Sequence, residues 1–232
     1  AAGIARVEED LSAFLDLRER ATSAEAMKQV GPSGGEGLLG QLGQYVRAVC
    51  VAKHAVGVSL EDSLPFHWAW RDAFKPSLSM KSKSCDFEKM AIVFNMGACF
   101  SRVGATTPRS DLAGIQRATE AFEQAAGVFH FLAQIAARHA ASGAEAAPRL
   151  RADSAGTEPA TSTTCDLSVA GLRMCVDLML AQAQACRYEL DLKQGAKDLE
   201  RISGLAAGAA VSYRRSLTSL TGSATLLDLD LS

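Results

Sequence analysis

The chain has 232 residues, of which 48% are hydrophobic and 22% are charged, and its formal net charge is −2 at neutral pH. This length fits one domain or one and a half, and the apolar share excludes a disordered chain. The near balance of charge argues against a nucleic-acid-binding protein, because such proteins carry a basic surface. No apolar run reaches the roughly 18 residues of a membrane-spanning helix, so no transmembrane segment is expected.

The six cysteines fall at irregular spacing, without a C-x-x-C pair and without histidines at zinc-site distances. The N-terminal stretch lacks the charged-then-apolar layout of a secretory signal. These features predict a reduced, cytoplasmic protein with no metal and no cofactor. Phosphate-binding and nucleophile-elbow motifs are absent from the sequence, so no catalytic residues are assigned. An all-helical enzyme with a buried pair such as Cys99 and His130 remains a remote alternative.

Apolar residues at helical spacing predict a helix over residues 4–28, which the glycine-rich stretch 31–35 ends. A second helix is predicted over 37–54, and residues 55–65 give no clear signal. The segment 66–74 is rich in aromatic residues, and the polar stretch 75–84 with Pro76 predicts a loop. No part of the chain shows a convincing strand pattern.

Four further helices are predicted, over 86–104, 111–139, 166–192 and 196–220. The first is apolar almost all round and should be central. The helix over 166–192 carries two apolar stripes, as a helix with neighbours on both sides does. The sequence therefore predicts an all-α fold whose last four helices form two antiparallel hairpins, the unit of a TPR-like solenoid.

We treat residues 1–232 as a single, partial domain with two irregular segments. Residues 140–164 are of low complexity and contain one large apolar residue, Leu150, so they predict a flexible insertion. Residues 221–232 form a tail that resembles a clathrin-box peptide, although the start of another helix explains it as well. The clathrin-box-like residues are Leu226, Leu227, Asp228, Leu229 and Asp230.

Several segments, in this order, resemble the BRO1 domain, the helical scaffold of ALIX-type ESCRT-associated proteins. An aromatic W-x-D-A-F segment precedes a helix beginning F-E-K and continuing V-F-N-x-G-A. Later blocks read A-x-x-x-F-x-x-A-A-G and M-L-A-Q-A-Q. The matching positions are 70–74, 87–98, 114–129, 165–168 and 179–185.

The resemblance implies a non-catalytic scaffold that acts in endosomal sorting and multivesicular-body traffic. It implies a cytoplasmic protein that is recruited to endosomes and associates peripherally with their membranes. In the family, an apolar patch on the helices equivalent to 166–192 and 196–220 receives the amphipathic C-terminal helix of an ESCRT-III subunit. Carried over to this chain, the partner-binding residues are Arg187, Tyr188, Ile202, Leu205 and Gln116.

This chain departs from the family at Arg187, which stands where an aromatic anchor is expected. A rhophilin-like BRO1 signalling adaptor without ESCRT-III binding is therefore the alternative. Family domains extend further at both ends, so the resemblance also implies a truncated domain.

Structural roles are expected for four residues of the matching segments. Trp70 and Phe74 should pack the loop onto the helix over 86–104 rather than form a ligand-binding aromatic box. Asp72 should cap a helix or accept a backbone amide rather than act as a catalytic acid. Asn95 should be buried and hydrogen-bonded to neighbouring backbone. The pair Glu88-Lys89 predicts either an ion pair with a partner or a solvated face.

Overall fold

The computed structural model describes residues 2–32, 35–56, 66–141 and 164–221. Within these ranges the chain forms seven α-helices and one two-stranded antiparallel hairpin. The prediction of an all-helical fold is confirmed, with this small sheet added. The elements in chain order are α1 (Ala2–Thr22), α2 (Ala24–Lys28), α3 (Gly35–Val56), β1 (Trp68–Arg71), β2 (Ser79–Ser82), α4 (Cys85–Thr106), α5 (Leu112–Ala141), α6 (Val169–Lys193) and α7 (Leu199–Thr221).

The first helical stretch is interrupted at Ser23, so the prediction of one helix over 4–28 was wrong. Ser23 has an extended backbone, and its Oγ accepts a hydrogen bond from the amide of Ala26 at 3.3 Å. Serine is more favourable as such a cap than in a helix interior. The end of α2 is then held by α4, because the Arg102 side chain donates to the carbonyls of Lys28 and Val30.

The segment predicted as loop contains a strand, because β1 and β2 pair in register from Trp68 opposite Ser82 to Arg71 opposite Ser79. Each strand has four residues, which is too short for an alternating pattern to be recognised. Trp68 and Met80 are buried, so the hairpin covers the helices with an apolar face. The two strands therefore cover one side of the helical core, where a surface loop was predicted.

Helices α4 to α7 stack in chain order, each against the next. Two glycines of α4 face two phenylalanines of α5. A Cβ atom on Gly97 would lie 2.7 Å from Cε1 of Phe129, and one on Gly104 would lie 2.8 Å from Cδ1 of Phe122. Because the later glycine meets the earlier phenylalanine, the two helices are antiparallel. The absence of a side chain at these glycines allows the rings to contact the α4 backbone directly.

The buried apolar residues form two adjoining clusters. One lies between the hairpin and α4 to α6 and includes Ile115, Phe122 and Leu172. The other lies between α1 to α4 and includes Leu42 and Val49. Phe14 and Trp70 pack against both clusters. The hairpin and α1 therefore meet where the two clusters join.

The predicted insertion and tail lie largely outside the described residues. Helix α5 extends through Ala141, and Thr164 is buried, which leaves 142–163 as the undescribed part of the predicted insertion. Helix α7 ends at Thr221, and residues 222–232, with the clathrin-box-like residues, follow beyond the described ranges.

Candidate partner-binding surface

The predicted surface is built on the turn between α6 and α7, and Gly195 makes this turn tight. Gly195 has φ of +67°, a left-handed conformation that glycine adopts without strain. Its amide donates to the carbonyl of Leu192 at 3.1 Å, and the amide of Ala196 donates to that of Asp191 at 3.0 Å. These two bonds form a Schellman motif, which closes α6 and reverses the chain. The end of α6 and the start of α7 are thereby placed side by side.

An ion pair fixes the first turn of α7 against the last turn of α6. The carboxylate of Asp198 accepts the amide of Arg201 at 3.0 Å and so caps α7. The Arg201 guanidinium in turn donates to both oxygens of Asp191, at 2.8 and 3.1 Å. Asp191 is buried, so this two-point pair is more than a surface contact. The Arg201 guanidinium therefore already has an acidic partner within the chain.

Arg187 and Gln116 are exposed residues on the α5 side of the surface. The Arg187 guanidinium forms an ion pair with Glu123 of α5. Gln116 lies two helical turns before Glu123 on the same face of α5. Because α5 and α6 run antiparallel, this places Gln116 towards the end of α6. The two residues thus line one edge of the predicted surface, with a charged group where an aromatic anchor was expected.

Tyr188, Ile202 and Leu205 are half-buried. Tyr188 follows Gln184 by one helical turn, and the side chain of Gln184 lies against Gly208 of α7. Ile202 and Leu205 are on the same helical stripe as Ala209 and Ser212, which are buried. All three predicted apolar contacts are therefore only partly accessible to a partner. They offer a partner their edges rather than an open apolar patch.

The most exposed apolar residues of α7 flank its buried stripe, and sequence reasoning did not assign them to a site. Leu199 is 76% exposed and Leu217 is 60% exposed, and Tyr213 lies on the same stripe. A helical wheel places Ile202 one turn after Leu199, so the sequence pattern does not separate the two stripes. It does not show which of them faces inward either, because the buried positions of α7 are small residues.

The four residues with expected structural roles surround the hairpin. The indole N–H of Trp70 donates to Glu88 at 2.5 Å, and Phe74 packs edge-on to Phe94 with ring centroids 6.2 Å apart. Asp72 is buried, and its carboxylate accepts four backbone amides. Asn95 is half-buried rather than buried, because it lines a small cavity of about 40 Å³.

Asp72 and Asp166 join the hairpin turn to the segment that precedes α6. Oδ1 of Asp72 accepts the amides of Phe74 and Lys75, each at 2.8 Å, and Oδ2 accepts those of Cys165 and Asp166. Oδ2 of Asp166 accepts the amide of Ala73 at 2.8 Å. Burial, and then the nearby Asp72 carboxylate, raise the pKa of Asp166 to about 6. Each carboxylate thus accepts backbone amides from the segment that carries the other. Both carboxylates are buried, so they do not form a dyad that is open to solvent.

Glu88 is fully buried, so the interpretation of this residue as a solvated face was wrong. Its carboxylate accepts hydrogen bonds from Arg18 at 2.9 Å, Tyr45 at 2.8 Å and Trp70 at 2.5 Å. The Arg18 guanidinium also lies over the rings of Trp68 and Trp70, with centroid distances of 5.6 and 5.4 Å. Burial and the Glu88 charge raise the pKa of Tyr45. One carboxylate thus connects α1, α3, β1 and α4.

Cys99 and His130, the pair considered for catalysis, are not brought together. Cys99 is buried beside the carbonyl of Gly35, whereas His130 is exposed and contacts Gln134 of its own helix. Burial raises the pKa of the Cys99 thiol, and it raises that of Cys165 to about 11. Among the described residues, no group of three or more His, Cys, Asp or Glu side chains is arranged to hold a metal.

Comparison with known proteins agrees with this architecture. The family described as "BRO1-like domain" matches residues 3–229. This chain belongs to the BRO1-like domain family. Among curated relatives of this BRO1-like domain, ALG-2 interacting protein X of Dictyostelium discoideum is 31% identical over 66% of the chain. The vacuolar-sorting protein BRO1 of Arabidopsis thaliana is 28% identical over 82%, and human Rhophilin-1 is 30% identical over 78%.

The fold of the BRO1-like domain also matches a solved structure, the ALIX BRO1 domain in complex with CHMP4C. The TM-score is 0.70 at 23% sequence identity, over 93% of this chain and 54% of that one. The three curated relatives are much longer, since the match covers 17%, 20% and 23% of their lengths. None of the helices in the described ranges combines the length and the apolar character that crossing a bilayer requires.

Proposed function

We propose that this BRO1-like domain is a non-catalytic scaffold of ALIX type that binds an amphipathic helix of an ESCRT-III-like partner at the α6–α7 turn. The observation that carries the proposal is this turn itself, where Gly195 and the Asp191–Arg201 pair hold two helix ends rigidly together. A rigid groove edge loses little conformational entropy when a helix docks on it. Tyr188, Ile202 and Leu205 supply the apolar contact and Gln116 a polar one.

The relatives support this proposal through their own partners. The solved ALIX BRO1 domain is in complex with CHMP4C, and a curated relative is named as a vacuolar-sorting protein. On this basis we propose a cytoplasmic protein that is recruited to endosomes and acts in multivesicular-body traffic. Peripheral contact with the endosomal membrane is part of the same proposal.

A gain-of-function variant tests the helix-binding proposal. A labelled peptide of the CHMP4C C-terminal helix is titrated into the full chain and followed by fluorescence anisotropy. Arg187→Phe restores an aromatic group at the anchor position, so it should strengthen binding about tenfold. Arg187→Gln is the matched control, because it also removes the ion pair with Glu123 but adds no ring. Absence of binding by both the parent chain and the Phe variant would reject this partner.

One observation favours a second function, that of a rhophilin-like signalling adaptor without ESCRT-III binding. Arg187 and Arg201 place charge at the predicted surface, and both guanidinium groups are already paired within the chain. Human Rhophilin-1 is among the relatives. A titration with a small GTPase in its GTP-bound form separates the two functions. Binding of the GTPase together with failure of the CHMP4C helix, even after Arg187→Phe, would favour the adaptor.

A further inference from the structure

A depression of about 370 Å³ lies at the opposite end of the α6–α7 pair from the predicted partner surface. Three consecutive helices contribute to it. Ala133 of α5 and Val176 of α6 are buried or half-buried and supply apolar contact, whereas His130, Arg173 and Arg215 are exposed around it. The small side chain of Ala133 leaves the space open. The depression is therefore partly apolar, with cationic side chains from two different helices.

The two arginines of the depression differ from Arg187 and Arg201 of the same helix pair. Arg187 and Arg201 form ion pairs with Glu123 and Asp191. Within the described ranges, the guanidinium groups of Arg173 and Arg215 take part in no hydrogen bond and no ion pair. Both groups are thus available to a ligand.

The acidic side chain of the depression does not cancel this charge. Asp177 is half-buried, and its burial raises the pKa while the charge of Arg215 opposes the shift. The nearby His130 ring is engaged with the Gln134 side chain at 2.9 Å. The depression is therefore lined by two guanidinium groups and one carboxylate, and burial disfavours the charged form of that carboxylate, which leaves an excess of positive charge.

We propose that this depression binds a short carboxylate-bearing segment of a partner protein, with Arg173 and Arg215 taking its acidic side chains. A guanidinium presents paired donors that match a carboxylate, and such charge-assisted bonds are the stronger class of hydrogen bond. Ala133 and Val176 contact the methylene groups of those side chains. The volume accommodates a few side chains, which fits an extended or helical segment rather than a folded surface. This site is distinct from the α6–α7 turn and does not depend on the proposed function.

The test uses the isotope-labelled full chain and a short, end-blocked oligoglutamate peptide as the probe, at low ionic strength. Binding should shift the side-chain Nε–Hε resonances of Arg173 and Arg215 until they saturate, and added salt should weaken it. The double variant Arg173→Gln, Arg215→Gln should lower the affinity about tenfold or more. Both residues are exposed, so the variant should keep its thermal unfolding midpoint.

The matched control is the double variant Arg214→Gln, Arg117→Gln, which removes the same charge from exposed arginines outside the depression. It should keep the affinity of the parent chain within about twofold, allowing for long-range charge. An equal loss in the control, or no saturation by oligoglutamate, would overturn the proposal. Saturation by inorganic phosphate with none by oligoglutamate would also overturn it, in favour of a phosphate site. The CHMP4C titration uses a different probe and different residues, so either proposal can fail alone.

Discussion

The carboxylates of Asp72 and Asp166 each accept a backbone amide from the segment that carries the other. Asp72 takes the amides of Cys165 and Asp166, and Asp166 takes the amide of Ala73. Two buried acids are therefore held close together by the hydrogen bonds that they accept. The arrangement connects the hairpin to the start of α6 and places a like-charge repulsion inside the fold.

Asp166→Asn is expected to change how stability depends on pH. Burial first, and Asp72 second, raise the pKa of Asp166 to about 6. The folded state thus binds this proton more tightly than the unfolded chain. The stability that it contributes is complete below about pH 4 and is lost as the pH rises to about 6, by roughly 3 kcal/mol. Urea unfolding at a series of pH values should show this decline in the parent chain and not in the variant.

The control for that series is Asp16→Asn, which changes an exposed carboxylate of α1. It should follow the parent chain at every pH. If Asp166→Asn follows the parent chain as well, the buried acid is not the source of the decline.

Glu88→Gln should destabilise the fold strongly. The substitution leaves the part-buried Arg18 without its charge partner, and it presents amide hydrogens to groups that are already donors. Loss of one member of a buried ion pair costs about 3 kcal/mol. Glu25→Gln breaks an exposed pair with Lys28 and should cost less than about 0.5 kcal/mol. Similar urea midpoints for the two variants would contradict the buried network.

Gly97→Ala should destabilise the packing of α4 on α5. The new methyl group would lie 2.7 Å from Phe129, so the ring or the helix must move. Such overpacking costs about 1–3 kcal/mol. Gly127→Ala on α5 meets no heavy atom within 4 Å and should gain up to about 1 kcal/mol from helix propensity. The thermal midpoint should fall in Gly97→Ala and rise in Gly127→Ala. A higher midpoint in Gly97→Ala would disprove the close approach of Phe129 to α4.

Arg201→Met should loosen the α6–α7 turn, because it leaves the buried Asp191 carboxylate without its cation. Since Arg201 itself is 65% exposed, solvent reduces the effect to about 1–2 kcal/mol. Amide hydrogen exchange should accelerate in the last turn of α6 and the first turn of α7. Arg214→Met, at an exposed site of α7, is the control and should leave those amides protected. Unchanged exchange in Arg201→Met would show that Gly195 and Asp198 suffice to hold the turn.

The stacked helices could be predicted because α4 to α6 carry long apolar stripes and few breaks. The hairpin could not, since two strands of four residues show too few alternations to be distinguished from a loop. Glu88 was misread for a different reason. Its burial depends on Arg18 and Tyr45, which are 70 and 43 residues away in sequence. Such long-range partners leave no mark on the local pattern.

The candidate surface was predictable only as a region. The resemblance located the α6–α7 pair and carried Ile202 and Leu205 over as apolar contacts of a partner. The inward stripe of α7 is completed by Ala209, Ser212 and Ser216, which are buried although they are small or polar. Ser216 achieves this by donating to the carbonyl of Met174 at 3.3 Å. Partial burial of Ile202 and Leu205 follows from that close packing, which composition does not reveal.

The carboxylate of Glu88 also determines whether α1 is released after a protease cuts the chain. Cutting the backbone just after α2 would sever the covalent link to α1 but not the hold of Arg18 on Glu88 and on the two tryptophan rings. The two fragments would co-elute from a sizing column in native buffer. They would separate in a concentration of denaturant that unfolds the domain.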